Sequence, residues 1–302
     1  MLALKIIWLF LLWTIFWSFW SVLITRLQEN IDRKTIKWIL FWFSHCPNCK
    51  TRLKARNLIP IVSFFLQKGK CENCKKEIPV FYPIIEILSG VIFVATYLLV
   101  YYNLAYILPN DIQLMHFVFW TLMNRLLLML IIYDFQKFEL HMPIRIKAVL
   151  ISLIAQFFGR FGDYQRAFLG SLIFCGVFLG IYSLAKRYVK KKYKQDTEWF
   201  WQWDIFAGFL LGTLLPFIFE YNNINPSMVN LSKIFIILMI ISSTLWIVWY
   251  IIAWILEKKN ILHISKPEDQ KRFKIIPFIP FLIISFWILL YTGNFLLRLI
   301  FN

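Results

Sequence analysis

The chain is short of charge, and shortest of acid. Only 16% of its 302 residues are charged, with 16 Asp and Glu against 33 Lys and Arg. A soluble globular protein is about 25% charged, so a soluble domain is excluded as the main body of this chain. Glycine is scarce at 10 residues, and no glycine-rich nucleotide loop is visible. The N-terminal apolar segment lacks a small-residue cleavage site of the Ala-x-Ala type, so a retained span is expected there rather than a removed signal. There is no long internal repeat, low-complexity tract or separate soluble domain. Cysteine is rare too: of five, four fall in two pairs, and the fifth, Cys175, lies in an apolar run and reads as a packed core thiol.

What is present is apolar. Hydrophobic residues make up 60% and aromatics 19%, with 14 Trp, 31 Phe and a mean hydropathy of +0.65. This composition predicts an all-α, polytopic membrane protein with interfacial aromatic belts. Eight apolar runs are expected to span: residues 4–25, 81–101, 112–133, 143–158, 167–185, 203–221, 231–256 and 275–297. Residues 36–43 are too short to span and are expected at the interface. The segments 26–80, 134–147, 186–202 and 257–274 hold 12, 3, 6 and 6 Lys and Arg, whereas the intervening loops hold only Arg160 and Arg166. That asymmetry predicts four cytoplasmic basic segments and both termini outside. The net charge of +17 therefore reads as a topology signal. The lipid bilayer is the expected partner, and nucleic acid is not. The basic run 186–194 reads as a solvated loop able to attract anionic lipid heads.

The longest hydrophilic stretch carries Cys46-Pro47-Asn48-Cys49 and Cys71-Glu72-Asn73-Cys74, with 21 residues between the pairs. Four-thiolate zinc sites use spacers of roughly 15–20 residues, so this spacing predicts a zinc-ribbon-like loop. Four sulfurs close the coordination shell, which makes a structural site and leaves His45 without a ligand role. A reducing compartment would keep the thiols available for metal. The alternative is a thiol redox pair.

Seven aspartates remain to be placed. Asp32, Asp196 and Asp269 lie in basic segments, and Asp111 and Asp163 in the other loops. Asp134 ends the third expected span and Asp204 begins the sixth, so both are expected at the cytoplasmic face. Two carboxyls at one depth cannot both ionise at close range; one becomes an acid and the other a base. Such a pair can hydrolyse a peptide without a covalent intermediate. Alternatively, each caps a helix or anchors a span end. Glu86 is the single carboxylate of the second span. Arg125 lies nine residues before Asp134, about 13.5 Å along a helix, and is expected to snorkel or pair internally.

These residues resemble a known family. Ser18-Phe19 through Arg26-Leu27 is similar to the first-span exit of type IV prepilin peptidases, G-S-F-L-N-V-x-I-x-R-L. Residues 44–53, Leu58-Ile59-Pro60, Ser63, Gly69 and the second cysteine pair follow the family's zinc loop. Tyr82-Pro83, Glu86 and Gly90 match Y-P-x-x-E-x-x-x-G, and Pro277-Phe278 with Pro280-Phe281 resembles the opening of the last span. The resemblance implies a bacterial inner-membrane aspartic endopeptidase that removes leaders from prepilins or pseudopilins, with Asp134 and Asp204 as the catalytic pair. It implies a zinc loop at residues 26–80, between a first helix at 1–25 and a multi-span peptidase domain at 81–302. It also implies N-methylation from S-adenosylmethionine, with Glu86 and Gly90 in the associated region. The chain departs from the family where G-x-G-D-x-K becomes Trp201-Gln202-Trp203-Asp204-Ile205-Phe206, and where I-P-D becomes Met142-Pro143-Ile144. Those changes leave an alternative: a family member impaired in proteolysis that acts in membrane binding or assembly.

Overall fold

A computed structural model describes residues 2–27, 45–46, 48–137, 142–157, 164–193, 202–222, 224, 227–258 and 278–297. The fold is all-α: among these residues no strand forms, and only two isolated bridges pair His45 with Arg52 and Lys70 with Glu77. The helices are α1 (Leu2–Leu27), the short α2 (Val62–Leu66), α3 (Phe81–Leu98), α4 (Asn110–Lys137), α5 (Met142–Phe157), α6 (Tyr164–Tyr193), α7 (Gln202–Tyr221), α8 (Met228–Lys258) and α9 (Ile279–Leu296). The eight long ones fall on the eight apolar runs. Phe81–Asn103, Asn110–Phe135, Ala167–Leu184 and Val229–Ala253 are long and apolar enough to cross a membrane. Leu2–Ile15, Ile205–Tyr221 and Ile279–Gly293 are shorter apolar helices. Among the described residues, four of the eight expected spans thus meet the length and composition needed to cross a membrane. The expected interfacial segment 36–43 lies outside the described residues.

Helix is the form these sequences must take in an apolar surrounding, because every backbone N–H and C=O is then satisfied within the segment. Local signals set the ends. Asp111 stands in the first turn of α4, where a carboxylate suits the helix dipole. Pro280 lies at the start of α9, where its missing N–H costs nothing. A π-turn at Leu99–Asn103 finishes α3.

The chain divides into two compact units, Met1–Asn103 and Leu104–Asn302. In the first, α1 packs on α3. Trp13 stacks on Phe93 with ring centroids 4.1 Å apart and planes 4° apart. Gly90 lets the helices close: a Cβ there would meet Phe10 at 2.5 Å and Thr14 at 2.9 Å.

In the second unit, α7 is the centre. It packs on α5, α6 and α9, while α4 packs on α5 and α9, and α8 on α9. At the α6/α7 crossing, a Cβ on Gly212 would meet the Ser171 Cα at 2.5 Å, and one on Gly170 would meet the Gly212 carbonyl oxygen at 2.7 Å. Pro216, four residues on, cannot donate to that carbonyl. Small residues at such crossings let backbones approach where lipid offers no hydrophobic drive. Polar pairs join the other helices. Ser152 Oγ meets Thr213 Oγ1 at 2.7 Å, the Ser242 hydroxyl donates to Ser285 at 3.0 Å, and Asn124 donates to the Tyr291 hydroxyl at 2.6 Å.

Candidate functional site

The four paired cysteines converge. Their Sγ atoms all lie within 4.8 Å of one another, and Cys46 and Cys74 are 3.9 Å apart, sulfur to sulfur. Zn–S bonds of about 2.3 Å in a tetrahedron put sulfurs about 3.8 Å apart, so the cluster fits a four-thiolate zinc ion.

The two halves of the site are built alike. In each, the residue after the second cysteine donates its N–H to the first cysteine's carbonyl: Lys50 to Cys46 at 2.9 Å and Lys75 to Cys71 at 3.0 Å. The first cysteine's N–H then returns to the residue after that, Cys46 to Thr51 at 3.0 Å and Cys71 to Lys76 at 2.9 Å. This tight return needs a left-handed residue, and Lys50 (φ 56°) and Lys75 (φ 59°) supply it. The halves also clasp each other. Asn73 Nδ2 donates to Thr51 Oγ1 at 2.7 Å, and Lys76 Nζ to Asn48 Oδ1 at 3.2 Å.

The same contacts prepare sulfurs for metal. The Thr51 hydroxyl, then its N–H and the Asn73 amide, hold Cys49 down to about 5. The Lys76 N–H, followed by the Asn48 amide, lowers Cys74. At Cys46 the Cys49 and Asn48 N–H groups pull downward, but burial and the Cys49 and Cys71 sulfurs raise the thiol above its ordinary value.

Glu86 reaches into this loop. Its Oε2 accepts the Ile61 N–H at 2.7 Å. Ile61 has φ 62° and ψ −57° and sits at a γ-turn closed by the Val62 N–H on the Pro60 carbonyl. A β-branched residue there is strained, so the carboxylate holds a backbone that would otherwise relax. The sequence places Glu86 only in the region that the resemblance ties to methylation and gives no sign of this contact.

The aspartates belong to the second unit. Asp134 is buried, at 5% exposure, one turn before the end of α4. Asp204 is the third residue of α7; its side chain and those of Gln202 and Trp203 lie outside the description, as does all of Trp201. Contacts at the other end relate the two helices. His116 Nδ1 is 2.6 Å from the Tyr221 hydroxyl, which accepts the Trp120 Nε1–H at 2.7 Å. Phe119 stacks on Phe217 at 5.1 Å. The start of α4 therefore meets the end of α7, so the helices run antiparallel. From His116 to Asp134 is about 27 Å, and from Tyr221 to Asp204 about 26 Å, at about 1.5 Å per residue. Asp134 and Asp204 each lie toward the end of their helix opposite this contact.

Arg145 marks that end as well, and the sequence reading counted it only as a loop cation. It is 2% exposed in the first turn of α5, with its guanidinium carbon 5.2 Å from the Phe206 ring centroid. A cation inside an apolar helix was the signal that could have singled it out. Arg125 is part-buried in α4, and Cys175 is part-exposed on α6.

Residues 11–100 match the family model described as the Bacterial Peptidase A24 N-terminal domain. Over this N-terminal third the chain is similar to bacterial prepilin peptidases. A prepilin leader peptidase/N-methyltransferase of Neisseria gonorrhoeae is 48% identical over 50 residues, covering 17% of this chain and 18% of that protein. The protein of that name in Bacillus subtilis is 44% identical over 52 residues, 17% and 21% of the two chains. The Klebsiella pneumoniae one is 34% identical over 86 residues, 28% and 38%. The chain thus spans less than two fifths of the length of these curated prepilin peptidases. No solved structure matches.

Proposed function

We propose that the chain is a prepilin leader peptidase, cutting prepilin-like or competence pseudopilin substrates at the cytoplasmic face of the inner membrane with Asp134 and Asp204. The observation that carries this reading is the match of residues 11–100 to the A24 N-terminal domain. The dyad reading is supported by the antiparallel contact of α4 and α7, with Asp134 and Asp204 each at the far end of its helix. In the proposed reaction the ionised carboxylate takes a proton from water. The resulting hydroxide attacks the scissile carbonyl, which the protonated carboxyl polarises. The C–N bond breaks as that carboxyl gives its proton to the leaving amine. Residues 81–302 would form the peptidase region, and residues 26–80 the zinc loop tied to N-methylation. S-adenosylmethionine would be the methyl donor, as the relatives' names suggest; Glu86 and Gly90 would support that region by packing and loop positioning.

Asp134→Asn and Asp204→Asn should each abolish leader removal from a co-expressed prepilin, read as a size shift, and leave membrane insertion intact. Cleavage by either variant sinks the dyad. A second reading, a proteolytically impaired relative acting in assembly, is favoured by Trp201, Trp203 and Phe206. It predicts that the unaltered chain cleaves no prepilin offered to it.

A further inference from the structure

The cysteine loop carries an apolar lobe that is exposed among the described residues. Leu58, Ile59 and Val62 are a little under half exposed, and Phe65 and Leu66 are exposed to 67% and 70%. They follow one another through the turn at Ala55–Leu58 and the short helix α2. Small soluble modules do not leave such a run to water. Around it the stretch 45–80 holds eight Lys and Arg against Glu72 and Glu77. Exposed Lys54 and Lys68 flank the lobe directly.

The lobe's level is fixed by the loop itself. Glu86, the sixth residue of α3, grips the Ile61 N–H. Ile61 is therefore held about 7.5 Å along a helix that is long and apolar enough to cross a membrane. Val80 and Tyr82 are exposed at the same helix start, the place of an interfacial aromatic. The residue after Ile61 opens α2, so the lobe hangs beside the first turns of a span. Lipid heads and upper acyl chains occupy that level, and an acidic leaflet complements the surrounding cations.

We propose that residues 58–66 insert into the headgroup layer of an anionic bilayer, with Lys54 and Lys68 on lipid phosphates, so that the metal loop is anchored to the membrane face. This inference does not rest on the peptidase reading. The test places the photo-crosslinker p-benzoylphenylalanine at Phe65 of the full chain in nanodiscs containing phosphatidylglycerol, with a control at Lys76 in the second knuckle. Bound zinc is measured in both, so that only a formed loop is scored. The expected result is a lipid-mass adduct at position 65 several-fold above the control, falling several-fold in Lys54→Glu/Lys68→Glu. Adducts to protein instead of lipid, a yield equal to the control, or a yield indifferent to the two lysines would overturn the proposal.

Discussion

At the residue scale, the cysteine loop is governed by a few backbone positions. Its thiols must be ionised to hold metal, so protons compete with zinc. Cys49 is depressed from an ordinary value of 9.0 to about 5. Its contribution is present in full above the ordinary thiol value and is lost as pH falls through about 5. Zinc affinity, followed with a chelating dye, should therefore weaken progressively on acidification and be lowest below that range. Lys75 is a different case, because a side chain at φ 59° is tolerated rather than favoured. Lys75→Gly should stabilise the knuckle by up to about 1 kcal/mol, seen as a higher midpoint of thermal zinc release. The presence of the site was legible from the cysteine spacing alone. The left-handed turns were not, because lysine gives no local hint of positive φ. The Glu86 contact was hidden for a related reason: its carboxylate accepts an N–H 25 residues upstream, which no periodicity reveals.

At the scale of elements, helix positions followed from hydrophobic runs, and each expected run carries a helix. What the runs could not convey is which faces meet, since helices apolar all round have no amphipathic stripe to read. Glycine settles it at one crossing. Gly212→Leu would drive a side chain into the Ser171 backbone and should cost about 2 kcal/mol or more, measured as a drop in thermal unfolding midpoint by tryptophan fluorescence. Gly176→Leu is the matched control: a Cβ there meets nothing within 4 Å, and no loss is expected. The polar pairs between helices were equally hidden. His116 and Tyr221 are 105 residues apart, and only the fold brings them together.

For the whole molecule, the distribution of cations is the informative quantity. Lys and Arg gather in alternate connecting segments, which predicts that both chain ends lie outside the cytoplasm. Alkaline phosphatase fused after Asn302 should be active, and green fluorescent protein at the same point dark. The reverse result would turn the whole topology over.

The clasp of His116 and Trp120 on Tyr221 has a mechanical consequence. It pins two antiparallel rods at one end and leaves the proposed reacting groups at the other. A tilt of about 5° about that pin, carried along about 26 Å of helix, moves the far end by about 2 Å. Misplacement by about 1 Å can cost a reaction about a hundredfold. If the proposed dyad acts, the tyrosine would serve as a fulcrum, and damage there would be read out at the far end of the helix pair.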